Sequence, residues 1–220
     1  MALMSVKTEP GRYARPVAES GSSTLADAKR QAALDHILAA ARRLVLTNGL
    51  DATMDQLAEA AGVSRRTLFR LFATREKLLA AAFEAGITNY RQQLPAYRGD
   101  VQRWLRTTCD EAHRMNAVIG PGFFELASRT DLPPDLAAAE RRRLQEFRGA
   151  MADITGTLWR TAGGEGKAPR ALEITVSAHL SPHFTAALVT DTGQRWQTAA
   201  ELAYSAILAA ANRELAKAAD

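Results

Sequence analysis

Apolar positions along this chain recur at three- and four-residue spacing almost from end to end, and no stretch of useful length alternates apolar and polar residues as a half-buried strand would. The expected fold is all-α. A first helix is predicted over residues 26–48, with Leu34, Ile37, Leu38, Ala41, Leu44 and Val45 at helical spacing and Gly49 ending it. Two short helices follow within residues 53–78. The next is opened by Thr74, continues through Leu78, Leu79, Ala82 and Phe83, and stops near Pro95. Val101, Trp104, Leu105, Thr108, Cys109, Ala112 and Met115 mark one face of a fifth helix, ended by the Gly120-Pro121-Gly122 break. A short helix around 123–128, a long one opened by Pro133-Pro134, a loop at 163–169 and two last helices over about 170–189 and 194–218 complete the chain. No internal repeat is evident.

The two short helices carry the most specific local chemistry. Thr53 with Gln56 three residues on forms a capping box, so both sets of backbone donors at that helix start are satisfied. Leu57, Ala58 and Ala61 supply an apolar stripe, and Gly62 stands where a chain leaving a helix commonly needs positive φ. Val63 plugs the corner. Ser64 is a good N-cap for the second helix, whose Leu68, Leu71 and Phe72 point inward while Arg65, Arg66, Thr67 and Arg70 take the other face. This pattern is a helix-turn-helix. Guanidinium forks near a helix N-terminus can bond both major-groove acceptors of guanine, and Thr can touch a thymine methyl or a phosphate. The bland alternative is a pair of packed surface helices with a solvated arginine face.

With these residues in view, the chain resembles the TetR-type (TetR/AcrR) transcriptional regulators. The likeness runs from about Gln31 to Phe83, through Ile37 to Ala41, Asn48-Gly49, Thr53, Leu57-Ala58, Ala61 to Ser64, Thr67 to Phe69, Phe72 and Glu76 to Leu78. Phe69 stands where Tyr is common in that family, Leu71 where Tyr or His is common, and Arg75 where Lys is common. Phe69 has no hydroxyl for a phosphate, whereas Arg75 keeps the charge. The resemblance implies a three-helix DNA-binding head over residues 26–73 and a helical effector-binding and dimerisation body over 74–220. It further implies a homodimer on a palindromic double-stranded operator, most often a repressor, released by a small molecule held among the middle helices. Base and nearby phosphate contacts are assigned to Arg65, Arg66, Thr67 and Arg70, backbone contacts to Thr53, Ser64 and Arg75, and sugar or methyl packing to Phe69.

Composition refines this only slightly. The net charge of +4 suits nucleic acid, and its placement matters more: residues 26–80 hold nine Lys/Arg against six Asp/Glu, and the stretch Ser64 to Arg75 holds four arginines and no acid. One cysteine, Cys109, excludes an intrachain disulfide and suits a reducing compartment. The N-terminus lacks the apolar core of a signal peptide, and the longest uncharged stretch, 174–190, is too polar for a span, so a cytoplasmic protein with no membrane partner is expected. Residues 1–25 read as a flexible tail, or alternatively as a basic arm through Lys7, Arg12 and Arg15.

The body carries no motif that spells out chemistry. Trp196, Ala199, Ala203, Ile207 and Ala210 form a stripe of mostly small residues on the last helix. The stripe suits either a dimer interface, as the resemblance implies, or an intrachain bundle. The uncharged stretch 174–189 is expected to be buried on more than one side. Trp104, Cys109, His113, Asn116, Phe123, Phe124, Met151 and His179 are candidates for an apolar pocket with a few polar anchors. His179 and His183, at i and i+4, would share a helix face, but two ligands do not make a metal site and Pro182 intervenes. Cys109 and His113 could pair as thiol and imidazole, yet no orienting group or oxyanion signature accompanies them. No cofactor, metal or catalytic set is expected. An enzyme using the body pocket and an effector-free DNA-binding scaffold are the rival readings.

Overall fold

A computed structural model describes residues 24–219, apart from the side chains of residues 87–91, 121 and 219. The tail with Lys7, Arg12 and Arg15 lies outside the described residues. Within them the chain forms ten α-helices and no strand: α1 (Leu25–Asn48), α2 (Met54–Ala61), α3 (Arg65–Phe72), α4 (Arg75–Gln93), α5 (Val101–Asn116), α6 (Pro121–Ser128), α7 (Pro134–Thr161), α8 (Arg170–His179), α9 (Pro182–Ala186) and α10 (Trp196–Ala219). A π-helical turn, Ala187–Asp191, follows α9.

Local signals set the helix ends. The capping box of α2 is formed: Gln56 N–H donates to Thr53 Oγ1 at 3.3 Å and Thr53 N–H to Gln56 Oε1 at 2.8 Å. Gly62 takes the left-handed conformation at φ +64°, and Ser64 Oγ accepts from Thr67 N–H at 3.1 Å to start α3. A second capping box, Thr24 with Asp27, starts α1 just ahead of the expected boundary. The link from α3 to α4 is unusual. Ala73 lies at φ +62°, ψ −44°, and Thr74 N–H donates to Phe72 O at 2.7 Å, a γ-turn of the rarer, strained hand.

Two apolar clusters form the core. The head cluster joins Ile37, Ala41 and Val45 of α1 to Leu57, Leu68, Leu78 and Leu79, and it extends to Leu126 of α6 and Leu136 of α7. The body cluster joins α5, α7, α8 and α10 around Leu105, Met151, Leu158, Leu172 and Ile207. Between the clusters, α6 lies backbone to backbone on the end of α1. A Cβ on Gly122 would fall 2.0 Å from Val45 O, and one on Gly120 1.9 Å from Leu46 O.

Three expectations about the body are corrected. The stretch 170–189 is not one helix: α8 ends at His179, Ser181 caps α9, and Pro182 is its first residue. Proline has no N–H to give and its ring would collide with the carbonyl four residues back, so a continuous helix breaks there. Ile174 is 55% exposed, so α8 keeps an open apolar face and is not buried on all sides. The small-residue stripe of α10 points inward. Ala199, Ala203, Ile207 and Ala210 are buried within the protomer, and Trp196 is partly buried against the same core, where α10 packs chiefly on α5 and α8. Small side chains serve this intrachain approach, so the four buried positions are not a dimer surface.

Candidate nucleic-acid interface

Leu68 is fully buried and anchors α3 in the head, which leaves the opposite face to solvent. Ser64, Arg65, Arg66, Phe69 and Arg70 are exposed there and Thr67 is half-buried, so the structure gathers the expected recognition residues on one short helix. Arg65 Nη1 donates to both Asp55 oxygens, at 2.9 and 3.2 Å, and its guanidinium lies 5.4 Å from the Phe69 ring. An exposed pair of this kind holds its partners by less than about 1 kcal/mol, so a phosphate or guanine can draw Arg65 away. No described ion pair involves Arg66 or Arg70. Thr53 is exposed at the start of α2, and its hydroxyl, while accepting the cap bond, retains a proton to donate.

Arg75 differs from the rest. Its Nη1 donates to Leu50 O at 2.8 Å and Ala52 O at 3.3 Å, and its Nε to Glu76 Oε1 at 3.0 Å. It therefore ties the α1–α2 loop to α4. Leu50 also donates its own N–H to Glu125 Oε2 on α6 at 2.7 Å. One residue is thus gripped from α4 at its carbonyl and from α6 at its N–H. Sequence gave no cue to this, because Glu125 lies 75 residues from Leu50.

Behind the head, α1, α4, α5, α6, α7 and α9 line a cavity of about 290 Å³ that is open to solvent on one side. Its wall is mainly apolar, with Leu46, Phe83, Met115, Ile119, Phe123 and Phe147 facing it, and Arg42, Arg114, Asn116, Arg143 and Glu146 add polar groups. Of the expected pocket residues, Asn116 and Phe123 line this space. The other six do not. Cys109 and Met151 are core side chains, Trp104 donates its Nε1–H to Pro95 O at 2.9 Å, and Phe124 packs edge-on to Phe123. His113 is buried, with Nδ1 2.8 Å from Thr185 Oγ1 and no partner at Nε2. His179 Nδ1 donates to Thr175 O at 2.8 Å. The fold gives these six side chains packing and hydrogen-bonding roles outside the cavity wall.

His113 and Cys109 are both held neutral by burial. Burial holds the His113 pKa at about 4, well below its usual 6.5, so the ring is neutral at physiological pH. Burial likewise pushes the Cys109 thiol up to about 12, which keeps it protonated and a poor nucleophile. His179 and His183 sit on separate helices, the latter against Phe124. Among the described residues no three His, Cys, Asp or Glu side chains come together as a metal site, and no helix is long and apolar enough to cross a membrane.

A capped recognition helix with free arginines, docked on two supporting helices, defines a helix-turn-helix DNA-binding protein. Residues 37–82, the helix-turn-helix head, match the family model described as bacterial regulatory proteins, tetR family. Solved structures agree in fold. A tetR-family transcriptional regulator from Streptomyces coelicolor superposes with a TM-score of 0.62 at 16% identity, covering 86% of this chain and 83% of the other. The fatty acid degradation regulator FadR from Bacillus halodurans gives 0.61 at 17%, covering 80% and 94%. NalD, the secondary repressor of the MexAB-OprM multidrug efflux pump in Pseudomonas aeruginosa, gives 0.57 at 19%, covering 83% and 97%. Among curated proteins none matches the chain.

Proposed function

We propose that the protein is a cytoplasmic homodimeric repressor that lays α3 in the major groove of a palindromic operator and leaves it when a small molecule fills the cavity behind the head. The reading rests above all on Arg66 and Arg70, exposed on a capped helix of a tetR-type head. Ser64 and Thr53 flank them for phosphates, and Arg75 acts on DNA indirectly, by holding the α1–α2 loop.

Dimerisation would use the faces that the protomer leaves open. On α8 these are Ala171, Ile174 and Ala178, and on α10 Leu202, Ser205 and Ala209, uncharged on both helices and spaced by three or four residues. A dimer reads two half-sites about 34 Å or a multiple apart. The effector need only favour one head separation over another, and the cavity is bounded by α4 and α6, the two helices that grip Leu50.

Selection of duplexes from a randomised pool, followed by titration at several salt concentrations, tests the reading. Each of Arg66→Ala and Arg70→Ala is expected to cost on the order of 1–3 kcal/mol on the selected site if it makes a bidentate guanine contact. Unchanged base preference in the double variant would remove α3 from base readout.

A further inference from the structure

We infer that the cavity takes an amphipathic anion, an apolar body of roughly ten to fifteen heavy atoms bearing one carboxylate that pairs with Arg42. The inference rests on the effector reading above and names the chemistry of that effector.

Three guanidiniums reach the cavity wall, and two are already occupied. Arg143 makes a two-pronged pair with Glu140, both bonds at 2.6 Å, and lies 4.7 Å from the Phe123 ring. Arg114 donates from Nε and Nη2 to Glu111 Oε2 at 3.0 and 2.6 Å, and from Nη2 to Gln93 at 3.3 Å. Arg42 is different: none of the described ion pairs involves it. It is half-buried, and its guanidinium lies over Gly86 of α4, where a Cβ would fall 2.9 Å from Nη1 and 3.0 Å from Cδ. Burial, with a smaller contribution from neighbouring Arg43, already disfavours its charge. A half-buried cation without a counter-ion is costly beside an apolar wall, and a bound carboxylate relieves it with two parallel hydrogen bonds.

The rest of the wall decides what the carboxylate is attached to. Leu46, Phe83, Met115, Ile119 and Phe147 offer dispersion and few polar partners, so the remainder of the ligand must be apolar. Glu146 also reaches the wall and is not free. It sets the opposite-charge control, because a ligand reading Glu146 would be an amine.

The test uses the full chain at pH 7.5, with the neutral dye Nile red reporting cavity occupancy and three matched probes, 4-phenylbutyrate, 4-phenylbutanamide and 4-phenylbutylamine, as competitors. The acid is expected to bind roughly ten- to a hundredfold tighter than the amide, the advantage of a hydrogen bond to a charged group. Arg42→Gln should bring acid and amide to parity without changing Nile red binding, and Arg42→Lys should keep part of the preference. Should Arg42→Gln fail to fold, Gly86→Ala supplies the same information, since its methyl displaces the guanidinium while favouring the helix. Parity in the wild type, a preference for the amine, or an acid preference that survives both Arg42→Gln and Gly86→Ala would overturn the assignment and leave the cavity standing. Absence of Nile red binding together with failure of all three probes would overturn the effector reading itself.

Discussion

Adjacent residues on α10 should give opposite phenotypes when changed to glutamate. Ala203 is fully buried against the body core, whereas Leu202, one position before it, is 48% exposed on the face proposed for the partner protomer. In Ala203→Glu, four extra heavy atoms enter a closed site. Keeping that carboxyl protonated at pH 7 requires its pKa to rise by about 3–5 units, or about 4–7 kcal/mol, and overpacking adds about 1–3 kcal/mol. The sum is comparable with the whole stability of a domain, about 5–15 kcal/mol, so the body should lose its cooperative fold. Leu202→Glu places the charge in water in the free protomer, where surface changes stay within about 0.5 kcal/mol, but sets it in an apolar interface in the dimer. It should stay helical, sediment as a monomer and lose tight operator binding through lost avidity. Circular dichroism, urea denaturation, sedimentation and duplex titration on both variants separate the cases. A folded, helical, monomeric Ala203→Glu protein would show that the buried stripe faces outward and refute the packing described above.

Two further outcomes follow from buried groups. His113 has a folded pKa of about 4 against 6.5 for the ordinary residue, so the unfolded chain binds its proton first; the resulting stability is fully present above about pH 6.5 and is lost as pH falls to about 4. The loss is at most about 3 kcal/mol, and urea denaturation across that window should show a slope that His113→Gln flattens, while an equal slope in both proteins would exclude this ring as its source. In Gly122→Ala the methyl meets Val45 O, forces α6 off α1 and strains the Glu125–Leu50 bond, for a total of roughly 3–5 kcal/mol; a denaturation midpoint unchanged from wild type would show that the two backbones do not touch.

The head was legible because its determinants are local. Thr53, Gln56, Gly62 and Ser64 act within a few residues of one another, and each sits in the structure with the bond or torsion its type implies. The body was legible as helical, one helix short because α8 and α9 read as one, and poorly in orientation. A stripe of alanines at helical spacing looks the same whether it meets a neighbour in its own chain or in another, so periodicity alone left α10 undecided. The break at residue 180 did carry a signal, since Ser181-Pro182 is a cap followed by a favoured first helical residue. The candidate pocket residues, aromatic and sulfur side chains with a few polar anchors, did not include Arg42 of the cavity wall. It shares a helical line with Leu38, Val45 and Leu46, and a charge in register with an apolar stripe is the cue that composition hides.

The γ-turn at Ala73 bears on how motion crosses the molecule. Only two residues separate the recognition helix from α4, and their peptide geometry is closed by the short Thr74–Phe72 bond, so the junction has little freedom to bend. Tilting α4 therefore carries α3 with it. Nineteen residues make α4 about 28 Å long, and a pivot of about 5° at its far end sweeps the junction through about 2.5 Å on a rod of that length. In the proposed dimer both rods would swing, and the gap between reading heads would change by up to twice that amount. The helix would then work as a pointer needle, magnifying small displacements at the cavity in proportion to its length, with the elbow at Ala73 holding α3 to it.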